Sequence, residues 1–214
     1  MWVKDTNSFY SFWKKTIDEY GDYLTNRTFS VCIQSFDYPF SFLSMNHSDT
    51  NNRDLLEMTG GGKIVDIQAI DYSLLKILAA NARMSYAKIA KLLDVSPNMV
   101  KYRMKKLEKL DVIQGYGTSL DLSQLDYSHY KIDIYLREHR KRTAIINYLK
   151  YYPHLVHIGT STGVSDLEVE FYVKRINEIF DIMTNTIKKF PDVIRNYEHF
   201  NITKVYKLNY MPSN

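Results

Sequence analysis

The sequence has little of several things that would settle its class at once. It holds a single cysteine, Cys32, in 214 residues, so one chain can form neither an internal disulfide nor a cysteine-based metal cluster. No stretch approaches the roughly 20 consecutive apolar residues needed to cross a bilayer. The first residues, MWVKDTNSFYSFWKK, have no continuous apolar core, so no signal peptide is expected. Charge of one sign is scarce too: 28 Lys and Arg stand against 24 Asp and Glu, a net of +4. These absences argue against a disulfide scaffold and a helical membrane protein. They leave a cytoplasmic globular chain with no membrane partner as the expectation.

The small net charge is unevenly placed. From Ser96 to Leu110, five basic residues (Lys101, Arg103, Lys105, Lys106 and Lys109) accompany one acid, Glu108, so the segment is +4 and the rest of the chain is balanced. Its pattern predicts a helix. Ser96 can cap it, and Pro97 fits the first helical position, where no N–H is needed. Val100, Met104 and Leu107 fall on one stripe, continued by Leu110. The opposite face carries Asn98, Lys101, Tyr102, Lys105 and Lys109, with Lys106 at its flank. Lysine on a surface helix often serves solubility alone, so the flanking segments decide. Before it, Ile70, Leu74, Ile77 and Leu78 behind a cap at Asp71 predict one helix. SYAKIAKLL (85–93) predicts a second, capped by Ser85, with Ile89, Leu92 and Leu93 inward and Ala90 permitting close approach. After it, Val112-Ile113, Gly115-Tyr116-Gly117 and Ser119-Leu120-Asp121-Leu122 predict a two-stranded hairpin. Three helices and a hairpin describe a winged helix–turn–helix over 67–122, whose third helix can enter a DNA major groove.

Beyond residue 126 the apolar period becomes two. YKIDIYL alternates Ile132, Ile134 and Leu136, as a strand should. TAIINYLKYY (143–152) predicts a helix ending before Pro153, and LVHIGTSTGVSDLEVEFYV (155–173) two strands around a glycine turn. INEIFDIMTNTIKKF (176–190) predicts an amphipathic helix with Ile176, Ile179, Ile182, Met183 and Ile187 inward, stopped at Pro191. A last strand follows from Val193. The order is the split βαββαβ, ferredoxin-like arrangement, assigned to 123–214, and the fold class is α+β.

The N-terminal segment repeats the end of this domain. At a shift of 170, Val3, Lys4, Asn7, Thr16, Ile17, Asp22 and Asn26 are identical to Val173, Lys174, Asn177, Thr186, Ile187, Asp192 and Asn196. Phe9/Ile179, Phe12/Ile182, Trp13/Met183, Tyr20/Phe190 and Leu24/Ile194 keep the apolar pattern. Residues 1–43 are therefore expected to be part of a second ferredoxin-like copy, with a helix at about 5–20 and a final strand at about 28–36. Such a half has an open sheet edge and little core. It belongs either to the C-terminal part of a longer tandem protein or to a chain completed by another domain or chain. Residues 44–66, rich in Ser, Asn, Asp and Gly and containing Gly60-Gly61-Gly62, are expected to be a linker.

Taken in order, Ile70-Asp71, Asn81-Ala82-Arg83, Ile89-Ala90, Val95-Ser96, Val100, Arg103, Leu107, Val112-Ile113 and Gly115-Tyr116 resemble the DNA-binding domain of the Lrp/AsnC (feast/famine) transcriptional regulators. The following βαββαβ resembles that family's ligand-sensing and oligomerisation (RAM) domain. The resemblance covers about 67–208. Asp94 and Asp111 stand where the family has glycine, and Asp tolerates a left-handed backbone better than most residues.

The resemblance implies a sequence-specific DNA-binding regulator that acts as a dimer or higher homo-oligomer on double-stranded DNA. Asn98, Met99, Lys101 and Tyr102 would make groove contacts, and Ser96, Arg103, Lys105 and Lys106 would hold phosphates. It also implies a small effector, such as an amino acid, at the turn between the second and third strands of the sensor domain. Gly163 and Asp166 would line that site, with Thr160, Ser161 and Thr162 supplying hydrogen bonds and Asp166 pairing an α-ammonium group. No cofactor, metal or catalytic residue is assigned. The layout also resembles siroheme decarboxylases, for which His129, His139, His154, His157 and His199 are available, although His154 and His157 should point to opposite strand faces. A sensing module that no longer reads DNA is a third reading. TGGGK at 59–63 lacks the spacing of a phosphate-binding loop.

Overall fold

The computed structural model describes residues 3, 5–43, 57–60, 63–206 and 211. They form two compact units, one from the described residues among 1–29 and 67–101 with residue 211, the other from those among 30–66 and 102–206.

The first unit contains helices α1 (Thr6–Tyr20), α2 (Ala69–Ala80) and α3 (Tyr86–Leu93). Asp5 caps α1 by accepting from the Ser8 N–H at 2.7 Å. Asp71 is not the cap of α2, as its position suggested. Gln68 is, and Asp71, fully buried at the third helical position, accepts the Gln68 N–H at 3.0 Å. Ser85 caps α3 as expected. In α3, Ile89 and Ala90 are buried, but Leu92, expected inward, is 63% exposed. An eight-residue helix has room for only a narrow inward stripe, and Ile89 and Ala90 occupy it.

Helix α4 (Pro97–Lys109) starts where Ser96 and Pro97 place it, with the Ser96 hydroxyl accepting the Met99 N–H at 3.2 Å. Asp94 and Asp111 on either side both adopt φ in the left-handed region, at 52° and 55°. The tight turns therefore survive without glycine, because a short polar side chain tolerates that conformation.

The second unit is built on one antiparallel sheet. Its strands are β1 (Val31–Asp37), β2 (Glu57–Thr59), β3 (Ser128–Leu136), β4 (Leu155–Thr162), β5 (Leu167–Val173) and β6 (Ile194–Ile202), in the order β2-β1-β4-β5-β3-β6. Helices α5 (Arg142–Leu149) and α6 (Ile176–Lys189) complete the βαββαβ order from β3 to β6. Strict alternation in β5 puts Leu167, Val169, Phe171 and Val173 in the core, together with Ile132 and Ile134, Ile145 and Leu149 of α5, and Ile179, Ile182 and Met183 of α6. Burying each such side chain contributes about 1.5–3 kcal/mol. Ile187, expected inward, is 39% exposed near the C-terminal end of α6.

The N-terminal strand adds to this sheet rather than forming its own. β1 pairs with β4 in the register Ser35↔Gly159, Phe36↔Ile158 and Asp37↔His157. Part of the expected linker is structured as well, because β2 pairs with β1. Gly60 follows at φ 78°, where a Cβ would lie 2.1 Å from the Ile33 carbonyl oxygen. Most of the remaining linker lies outside the described residues. The hairpin expected at 112–122 is not formed: residues 112–121 belong to no strand. The Gln114 side chain takes the place of a ladder, accepting the Met58 N–H at 2.7 Å and donating to the Met58 carbonyl at 2.8 Å.

Candidate nucleic-acid interface and effector cleft

Helix α4 separates its residues as its pattern demands. Val100, Met104 and Leu107 are buried, while Ser96, Asn98, Met99, Lys101, Tyr102, Lys105, Lys106 and Lys109 are exposed. Tyr102 is 68% exposed, an aromatic hydroxyl presented beside Lys101, Lys105 and Lys106, one to four residues away. Arg103 is half-buried. The one acid of the helix, Glu108, accepts from the Tyr116 hydroxyl at 3.0 Å, which ties the following segment to the helix. Exposed Leu92 on α3 was missed, because helical spacing alone could not distinguish it from its neighbours.

In the second unit the β4–β5 turn brings Ser161, Thr162, Gly163 and Asp166 around a cleft of about 370 Å³. Gly163 takes φ 128°, a backbone that L side chains rarely adopt. Thr160 does not line the cleft, and its hydroxyl donates to the Gln34 carbonyl of β1 at 3.3 Å. Ser161 donates to the Ser165 carbonyl at 3.1 Å. The Asp166 carboxylate accepts the Leu136 N–H at 2.8 Å and the Arg142 guanidinium at 3.5 Å, and it lies 3.0 Å from the exposed His139 Nδ1. His139, Arg142, Ser165 and Arg195 also line the cleft. Ser165 was within reach of the sequence reading, lying between Gly163 and Asp166. Arg142 and Arg195 come from distant segments and gave no signal.

The sheet face away from α5 and α6 carries a titratable network. His157 Nδ1 meets Asp37 Oδ1 at 2.8 Å, His129 meets Glu170 at 2.8 Å, and Lys131 meets Asp133 and Glu168, each at 2.9 Å. Burial works against charging His157, yet the Asp37 contact and the fields of Glu170 and Glu168 outweigh it and raise its pKa. Burial would lift the Glu170 carboxyl, but bonding to His129 and the nearby His157 hold it below its ordinary value. His154 bonds the Tyr172 carbonyl at 2.8 Å and stacks on Phe42. His129, His154 and His157 are thus engaged within the fold. No group of three or more metal-capable side chains occurs among the described residues, and no helix among them is long and apolar enough to cross a membrane.

A capped basic helix behind a tight turn, with its apolar stripe buried, fits a helix–turn–helix, and the family model for winged helix-turn-helix DNA-binding domains matches residues 67–114. An HTH-type transcriptional regulator of Pyrococcus furiosus is 30% identical over 105 residues, covering 49% of this chain and 71% of that one. The regulator LrpA of Pyrococcus abyssi is 28% identical over 125 residues, 58% of this chain and 89% of LrpA. Among solved structures, AsnC of E. coli superposes with a TM-score of 0.60 at 22% identity, covering 69% of this chain and 99% of AsnC. A transcriptional regulator of Neisseria meningitidis solved in complex with L-Met superposes with a TM-score of 0.58 at 17% identity, covering 69% and 97%. The chain belongs to the Lrp/AsnC family of transcriptional regulators, and it is a DNA-binding regulator.

Proposed function

We propose that α4 is the helix that enters the major groove, with Asn98, Met99, Lys101 and Tyr102 reaching base edges and Ser96, Arg103, Lys105 and Lys106 holding phosphates. The observation that carries this is the division of α4 into a buried apolar stripe and an exposed basic face. Such a face neutralises phosphates and releases counterions, while an amide and a phenol supply hydrogen bonds to bases. Two chains acting together in the cytoplasm would present two such helices to half-sites about one helical turn apart. The cleft at the β4–β5 turn would take a small effector that biases DNA binding. In support, a family neighbour was solved with L-Met. The N-terminal segment is read as the back half of a second sensor copy, supported by the helix and strand at the positions its repeat requires.

The test is salt-dependent binding to a footprinted promoter fragment. Lys105→Ala and Lys106→Ala should each lower the slope of log affinity against log salt by about 1 and weaken all sequences alike. Lys101→Ala should cost about 1–3 kcal/mol and relax base preference at one position. Unchanged affinity in Lys101→Glu combined with Lys105→Glu sinks the groove assignment.

A further inference from the structure

The outer edge of a strand carries a row of N–H and C=O groups that will pair with any strand of matching shape. On β4 that edge is covered from within the chain. β1 pairs with it from Val31↔Thr162 to Asp37↔His157. The contact is fastened beyond both ends of the strand. Ahead of it, the Ser30 hydroxyl donates to Glu168 at 3.0 Å. Along it, Thr160 donates to the Gln34 carbonyl and His157 meets Asp37. Past it, the Tyr38 N–H donates to the Val156 carbonyl at 2.9 Å and the Ser41 hydroxyl to the Pro153 carbonyl at 3.2 Å. Phe42 is buried there with Leu122 and Val156 and stacks on His154.

The internal repeat indicates what kind of strand this edge takes. At the shift of 170, β1 (31–37) falls on residues 201–207, the end of β6 and the stretch that runs on from it. Cys32 falls on Ile202 and Phe36 on Tyr206. The ladder between β6 and β3 stops at His129↔Ile202. Residues 203–206 belong to no strand and are exposed, Val205 at 61% and Tyr206 at 86%. A β-branched residue beside an aromatic one suits a pleated, half-buried surface rather than water. The same part of the repeat is therefore paired to a β4 edge in the N-terminal copy and left without a ladder in the C-terminal one.

From this we infer that the N-terminal segment is a built-in substitute for a partner's strand: β1 closes in cis the β4 edge that fits residues 202–206 of a second copy of this chain. When β1 is displaced, that run-on adds to β4 as an extra strand, with Val205 and Tyr206 in the places of Ser35 and Phe36. Main-chain hydrogen bonds supply the affinity of such an addition and alternate side chains its selectivity. A tethered strand acts at an effective concentration of roughly millimolar, about 1,000-fold above a micromolar second copy, so closure in cis wins in the intact chain. The inference rests on the reading of residues 1–43 as the back half of a second copy.

The test uses the full chain and its one cysteine. Cys32 sits opposite Ser161, and directly opposed antiparallel residues lie about 4.5–5.5 Å apart at Cα, within disulfide reach. After mild oxidation, Ser161→Cys should run on a non-reducing gel at the monomer mass. A band at twice that mass puts β1 on another copy's β4, and absence of any disulfide removes the pairing; either overturns the inference. A labelled peptide of residues 200–206 then probes the edge. It should bind Phe42→Ala at least about 10-fold more tightly than the wild type, and it should not bind the oxidised Ser161→Cys chain. Asp37→Asn should show a smaller gain, and it carries the test if circular dichroism finds Phe42→Ala unfolded. Equal binding to the wild type and both variants, or binding to none of them, overturns the inference. A monomer-mass disulfide in that case leaves the repeat reading standing.

Discussion

Helices α1 and α6 share a sequence pattern but differ in what lies beneath them. Aligned at a shift of 170, they place Thr16 on Thr186 and Phe12 on Ile182. Both threonines make the same local bond, Thr16 to the Phe12 carbonyl at 3.0 Å and Thr186 to the Ile182 carbonyl at 2.7 Å. In α6 that bond is buried, along with Ile179, Ile182 and Met183. In α1 no residue is buried among those described: Phe9 and Trp13 are half-covered and meet Phe29 edge-on at 5.2 and 4.6 Å. The pattern secures a helix in both cases. Only a sheet with a matching apolar face converts that helix into core.

The largest expected separation between the two comes from truncation at one aligned position. Met183→Ala should cost about 2–5 kcal/mol by urea unfolding of the second unit, because it opens a cavity in a closed core. Trp13→Ala should cost about 1 kcal/mol, the worth of an aromatic edge contact. Equal losses would mean that α1 is as deeply packed in solution as α6.

A smaller contrast isolates the threonines. Thr186→Val removes a buried hydrogen bond and should cost about 1 kcal/mol, while Thr16→Val should stay within about 0.5 kcal/mol. Thermal unfolding of the pair reads the difference, and a larger effect at Thr16 would break the comparison.

The smallest effect concerns β1, the other half of the N-terminal segment. His157 has a raised pKa, so its pairing with Asp37 stabilises fully below the ordinary value of 6.5 and fades as pH rises through the folded value. Amides of β1 should exchange faster at pH 8 than at pH 6 after correction for intrinsic rates. His157→Gln should flatten that dependence, and a steep dependence retained in the variant would place the titrating group elsewhere.

Legibility followed distance along the chain. The Ser96-Pro97 start of α4, the left-handed turns at Asp94 and Asp111, and the alternation of β5 are decided by neighbours a few residues apart, and the structure has them where the pattern put them. Leu92 and Ile187 were misassigned because a helical stripe shows which residues share a face, not how far a partner covers it. The hairpin after α4 is not formed, and within that segment the Gln114 side chain instead bonds Met58, 56 residues away. At the cleft, Gly163 and Asp166 were visible as a turn. That Asp166 would meet the Leu136 N–H and Arg142 was not.

By itself, the sequence determined the local elements and the family of regulator, since caps, periodicities and turn residues act within a turn or two of helix or one strand. Tertiary structure alone decided which faces became core, where β1 found its edge at β4, and which side chains from distant segments line the cleft. Those outcomes depend on pairings across more than a hundred residues, such as Asp37 with His157, for which no short-range spacing rule exists.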